Sequence, residues 1–256
     1  MLLILSLFVL GALWLARWFM RHDKGELEPR RALWGSFCMG VVAMIVAGIL
    51  ESIFIKHDIT NPDLFFSTRT LFIDFMLVGI IEEAVKFLPL LVWLWRKPYF
   101  TERTDGVIYF ALGGLGFGFA ENILYTLADG AGTGIGRLIV VSFFHAALTG
   151  AAGYFVARAK AKGLPIWSTL LPLAVVMVLH GLYDFGLASG TPMFVLGALS
   201  ISLYMTIGMF TLFGRAARAD ALVPACPTCR RQLSAADAIC QNCVAKGPGP
   251  MAPTGV

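Results

Sequence analysis

Glu82, Glu83 and Lys86, then Glu121, His145, His180 and Asp184, are the residues of this chain whose types and spacing could do chemistry, because each interrupts a run of apolar residues. An ionisable group in hydrocarbon costs roughly 2.5–3.5 kcal/mol or more when unpaired, so such groups usually mark ion, proton or catalytic sites. Hydrolysing a peptide bond needs a base for water, a donor for the developing oxyanion and an acid for the leaving amine. A Glu pair with two His and an Asp contains every part, with no Ser or Cys nucleophile required.

Residues three or four apart share a helix face, which sets Lys86 beside both Glu82 and Glu83, and Asp184 beside His180. Phe117, Glu121 and Tyr125 form another stripe. Two adjacent carboxylates in low dielectric do not both ionise readily, so one is free to act as base while Lys86 holds the other. His145 or His180 would bind the oxyanion, with Asp184 fixing the tautomer of His180. A metal version is also drawable, since Glu and His are suitable Zn²⁺ ligands and a bound metal activates water. The chain has no His-Glu-x-x-His motif, and glutamate-activated water is the preferred expectation.

The elements that must position these groups follow from composition. Of 256 residues 58% are hydrophobic and only 14% charged, with a mean hydropathy of +0.77, which excludes a water-soluble domain. Seven segments are long and apolar enough to span a bilayer: roughly 1–19, 32–55, 70–95, 106–126, 137–158, 165–187 and 191–214. The expected fold class is an all-α polytopic helical bundle. The first segment lacks a basic n-region and is read as a retained helix rather than a cleaved signal.

Lys and Arg crowd alternate loops, twelve against three, which predicts the N-terminus outside and the C-terminus in the cytoplasm. The net charge of +4 is thus a topology signal, and no nucleic-acid partner is expected. At ~1.5 Å rise per residue, Glu121, His145 and His180 would lie about 8–12 Å below the outer boundary. Glu82 would lie ~18 Å deep if its helix enters at Thr70, and ~12 Å deep if it enters at Asp74. Four helices are therefore expected to converge on one site. Glu51 and Asp74 read as interfacial, His22 and His57 as loop residues, and none of these is given a role. The pairs Gly113-Gly114 and Gly116/Gly118 read as close-packing positions.

After Asp220 the chain turns polar. Cys226-Pro-Thr-Cys229 and Cys240-Gln-Asn-Cys243 form two knuckles ten residues apart, the arrangement of a closed structural Zn²⁺ site. The expected organisation is a transmembrane domain over 1–219 with its motifs in 70–187, a zinc-ribbon-like cytosolic module over 220–246, and a disordered Gly/Pro tail over 247–256. A cytosolic protein partner is expected for the module.

The motifs resemble those of a known family. Glu82-Glu83-Ala-Val-Lys86 is similar to its Glu-Glu-x-x-Lys motif, Phe117-Gly-Phe-Ala-Glu121 to its Phe-x-x-x-Glu, and His180-Gly-Leu-Tyr-Asp184 to a closing His-x-x-x-Asp, with His145 where a further histidine falls. This resembles the PrsW family of intramembrane proteases, within a wider group of CAAX-prenyl proteases and bacteriocin-processing enzymes. The resemblance implies a glutamate that activates water inside a helical chamber, and a membrane-anchored protein substrate, such as the anti-sigma factor that founding members cleave. The CAAX branch carries His and Asn where this chain has Glu121 and Asp184, so its oxyanion arrangement does not transfer and a metal site stays open.

The expected function is thus an intramembrane endopeptidase in a bacterial-type plasma membrane, with Glu82, Glu83, Glu121, His145, His180 and Asp184 as catalytic residues. The rival readings are a proton-coupled transporter or channel, and a membrane scaffold for the zinc module.

Overall fold

A computed structural model describes residues 2–23, 28–55, 68–130, 132, 137, 140–223, 226 and 243, and the described residues contain no strand. Seven long helices follow in order: α1 (Leu2–His22), α2 (Arg30–Phe54), α3 (Thr68–Trp95), α4 (Arg103–Asp129), α5 (Val140–Ala161), α6 (Leu170–Ala188) and α7 (Pro192–Asp220). A 3₁₀ turn, Ile166–Thr169, leads into α6. Each coincides with one expected span.

Four helices, α2, α4, α6 with its leading turn, and α7, are long and apolar enough to cross a membrane by composition. Helix α3 misses that standard because Glu82 and Glu83 sit near its middle, with Lys86 one turn on and Arg69 and Asp74 before them. The groups that mark the site are the ones that spoil its hydropathy.

Helix α4 is the hub. It packs against α1, α2, α3, α5 and α7, and 78% of its apolar window is buried inside the protein, against 17–39% for the other three. In a bilayer the apolar effect does not drive helices together, so association depends on close backbone approach. The sequence supplies it. The buried stripe Ala32, Ser36, Gly40, Ala43 and Ala47 of α2 lies against α4, where a Cβ on Gly40 would overlap the Gly113 carbonyl and one on Gly116 the Phe37 carbonyl. A Cβ on Gly114 would strike the His145 carbonyl, so α4 and α5 touch where the site is built.

Helix α7 runs to Asp220, beyond the expected end at 214, because Asp220 caps a neighbour. Its Oδ2 accepts from the Thr104 backbone N–H (2.9 Å) and its Oδ1 from the Arg103 guanidinium (3.2 Å), satisfying a donor that the start of α4 leaves open. Glu102 and Asp105 complete a capping box there. Beside it Tyr109 donates a hydrogen bond to Glu28, in the α1–α2 connection. Burial pushes the Glu28 carboxyl up to about 7, against the lowering pull of Asp105 and Tyr109.

Candidate active site

Helix α3 carries Glu82, Glu83 and Lys86 on its protein-facing side. Lys86 donates to Glu82 Oε2 at 3.0 Å and to Glu83 Oε1 at 2.8 Å, the two contacts that helical spacing predicts. Its ammonium also lies 3.8 Å from the centre of the Phe117 ring on α4, whose electron-rich face favours a cation. Helix α6 can lie directly on this helix because glycines face each other: a Cβ on Gly79 would sit 2.6 Å from the Gly181 backbone nitrogen. That contact brings the preceding residue, His180, to the carboxylates.

His180 Nδ1 bonds Glu83 Oε1 at 2.9 Å, while its Nε2 faces Asp184 Oδ2 at 3.2 Å and Glu82 Oε2 at 3.6 Å. From α5, His145 Nδ1 lies 2.9 Å from Lys86 Nζ and its Nε2 2.8 Å from Glu121 Oε2. Thr149, one turn on, reaches Glu83 Oε2 at 3.4 Å. All six expected site residues therefore meet. They form one chain of contacts, Asp184 to His180 to Glu83 to Lys86 to His145 to Glu121, with Glu82 bridging Lys86 and His180. The two imidazole rings lie 5.2 Å apart, centre to centre.

Side-chain exposure grades along this chain. It is 0% for Glu83 and Lys86, 2% for both histidines, 9% for Glu82, 16% for Glu121 and 22% for Asp184. The site therefore has a sealed floor at Glu83 and Lys86 and a mouth at Glu121 and Asp184. Glu82, not Glu83, is the α3 carboxylate turned toward the mouth.

Sequence reasoning missed several members. Arg137, at the start of the expected fifth span, donates to Glu121 Oε1 at 2.6 Å and to Asn122 Oδ1 at 3.0 Å, with its guanidinium 4.0 Å from the Tyr125 ring centre. It lies 16 residues from Glu121 in the sequence, and no periodicity links the two. Glu51, read as interfacial, has its Oε1 buried without a hydrogen-bond partner among the described residues. The Tyr183 hydroxyl, against Phe144, is likewise buried and unpartnered. An acid inside a spanning helix was the available signal for Glu51; none marked Tyr183.

Glu82, His145 and His180 each offer a ligand atom within 4.8 Å of the others, the donor set of a catalytic His₂Glu zinc centre. Around them four carboxylates, Glu82, Glu83, Glu121 and Asp184, face two permanent cations, Lys86 and Arg137. With neutral histidines this leaves two negative charges to be met by protons or by a divalent cation.

At the other end of the chain, Cys226 and Cys243 lie with their sulfurs 3.6 Å apart. Cys229, Cys240 and most of residues 220–256 fall outside the described residues.

Fold and site together define a polytopic membrane protein with a buried cluster of carboxylates and imidazoles enclosed by its helices. A profile described as "PrsW family intramembrane metalloprotease" matches residues 28–214, and the chain belongs to the PrsW family of intramembrane proteases. It is 28% identical over 185 residues to Protease PrsW of Bacillus subtilis (strain 168), covering 71% of this chain and 81% of that one. It is 26% identical over 179 residues to Protease PrsW of Clostridioides difficile (strain 630), covering 66% and 72%. Protease PrsW of Halalkalibacterium halodurans is 31% identical over 151 residues, covering 58% and 66%. No solved structure matches the chain at a significant level.

Proposed function

We propose that the chain is an intramembrane endopeptidase that hydrolyses a peptide bond of a membrane-anchored protein, anti-sigma-factor-like regulators being one candidate class, with water activated at Glu82 between His145 and His180. The observation that carries this reading is the contact of Glu82 with both Lys86 and His180 at the open side of the cluster, while Glu83 is spent on Lys86, His180 and Thr149 below it.

In this reading Lys86 keeps the Glu82 carboxylate ionised, and Glu82 takes the proton of the attacking water and passes it to the leaving amine as the C–N bond breaks. Glu83 accepts from His180 Nδ1–H, and with both ring nitrogens protonated Nε2–H, beside Asp184, is the donor toward the mouth for the developing oxyanion. The unpartnered Tyr183 hydroxyl is a further donor. Glu121, held by Arg137 and His145, aligns the substrate side of the site. Membership of a protease family supports this over a transporter or a scaffold.

A second reading has a specific observation in its favour, the His₂Glu donor set and its two uncompensated charges. The donors fit zinc in identity and spacing, and Glu82, His145 and His180 would hold it. Bound there, a zinc ion supplies Lewis acidity and a water of lowered pKa. Against it, Lys86 and Glu121 already occupy both nitrogens of His145.

Purified full chain incubated with candidate single-span substrates tests the enzyme: Glu82→Gln and His180→Ala should each lower cleavage by about a hundredfold or more, and cleavage at the wild-type rate in both removes the proposal. Activity that persists after exhaustive chelation supports glutamate-activated water; activity lost to a chelator and restored by Zn²⁺ supports the metal reading.

The C-terminal cysteines form a structural zinc module, and its face is the cytoplasmic one by the distribution of Lys and Arg. The Cys226–Cys243 separation of 3.6 Å matches the spacing of two thiolates on one tetrahedral zinc, about 3.8 Å for Zn–S bonds near 2.3 Å. The module lies beyond the matched family region, which ends at 214, and its proposed role is to bind a cytosolic protein. Elemental analysis should find a zinc that Cys226→Ser removes and Glu82→Gln does not.

A further inference from the structure

On the flank of the bundle, away from the mouth of the site, α5, α6 and α7 leave a groove of about 790 Å³. Its walls are apolar, with Phe155, Val175, Leu179 and Ile207 among them, and Leu171, Val175, Tyr204 and Ile207 are themselves exposed. At one end the character changes. Arg158 from the last turn of α5, Lys162 just after it, and Arg215 near the end of α7 all line the groove, and no acidic residue does so among the described residues.

These three cations are exposed and make no ion pair among the described residues, unlike Arg103 and Arg137, which are neutralised by Asp220 and Glu121. All three lie at the same membrane face, because α5 ends, α6 begins and α7 ends there. A long apolar slot that opens on a cluster of unpaired cations at the membrane surface has the chemistry of one ligand class.

We infer that this groove binds an anionic phospholipid, its acyl chain along α6 and α7 and its phosphate headgroup among Arg158, Lys162 and Arg215. Basic pockets between spanning helices recognise anionic headgroups in this way, and the volume falls in the ~300–1,000 Å³ range of small-molecule sites. A substrate helix is the other candidate occupant, and charge disfavours it. Spanning segments carry Lys and Arg on the cytoplasmic side, which would bring like charges against the same trio.

Gly208 supplies an independent handle. It lines the groove, and a Cβ built on it meets nothing within 4 Å, so a large side chain there would fill the slot without disturbing helix packing. Replacing an interior helical glycine also removes its backbone-entropy penalty, so the variant should fold.

The test uses delipidated full chain in mild detergent and native mass spectrometry with phosphatidylglycerol or phosphatidylcholine of identical acyl chains. Wild type should retain phosphatidylglycerol on the order of a hundredfold better, the strength that three cations near a membrane surface confer together. The triple variant R158Q/K162Q/R215Q should lose the preference, and Gly208→Phe should lower retention of both lipids. Should the triple variant misfold by circular dichroism, Gly208→Phe still decides the tail site. Equal retention of the two lipids by wild type would overturn the inference, as would an unchanged preference in the triple variant. Displacement by inorganic phosphate alone would reduce the site to an ion contact, and displacement by a single-span substrate peptide would reassign it to substrate; either result overturns the lipid.

Discussion

Lys86 Nζ and His145 Nδ1 lie 2.9 Å apart across two helices, and an ammonium can only donate, so His145 must accept at Nδ1 and carry its proton on Nε2, toward Glu121. One lysine thereby fixes the ionic partner of two glutamates and the tautomer of a histidine. The sealed end of the site is organised around it.

Removing that ammonium should therefore be costly. Lys86→Met leaves Glu83 buried and charged with no cation beside it, and loss of one partner of a buried pair destabilises by about 3–5 kcal/mol. The double variant Lys86→Met with Glu83→Gln should recover part of the loss. Thermal unfolding in detergent measures both, and a single variant as stable as wild type would mean that Lys86 is not the organising charge.

The exposure grading separates the adjacent glutamates. Glu82→Gln should lower the rate constant for cleavage by about 10²–10⁴-fold, the usual worth of a general base, with little change in melting temperature. Glu83→Gln, which sits on the sealed floor, should instead lower stability along with activity. Single-turnover cleavage beside thermal melts tells the two patterns apart.

Arg137 is tied to Glu121 and lies at the mouth, so Arg137→Gln should leave the fold intact while Glu121 loses its fixed orientation. The expected result is a raised KM with a smaller effect on kcat, read from substrate titration. Tyr183→Phe should be neutral or stabilising, because it removes an unpartnered buried hydroxyl, yet lower kcat if that hydroxyl donates to the oxyanion.

Contact between α4 and α5 at Gly114 offers a purely steric test. Gly114→Ala places a methyl where the His145 carbonyl now lies, so the helices must separate and His145 must shift away from Lys86. Cleavage should fall sharply while far-ultraviolet circular dichroism stays helical.

Glu28 gives the pH dependence of stability at the opposite end of the bundle. Burial raises its carboxyl to about 7 from 4.5, so the folded state holds a proton that the unfolded chain has released. Its contribution is complete below the unfolded value and is lost as pH rises through 7. By linkage this is at most about 3 kcal/mol, less for the part screened by solvent. Melting temperatures from pH 5 to 8 should decline in wild type and decline less in Glu28→Gln. Asp23, Glu102, Asp105, Tyr99 and Tyr109 face the same carboxyl.

The sequence alone determined what repeats along one helix. Apolar runs of bilayer length set the seven helices, and three- and four-residue spacing set Lys86 on Glu82 and Glu83 and Asp184 on His180, since those contacts depend only on local geometry. Tertiary structure decided what crosses between helices: which nitrogen of His145 faces Lys86, that Glu83 is sealed while Glu82 opens to the mouth, and that Arg137 joins the site through Glu121. Such contacts depend on how closely two backbones approach and at what rotation, which is fixed here by glycines packed against glycines or carbonyls on neighbouring helices. A one-dimensional pattern records those small residues but not what they lie against.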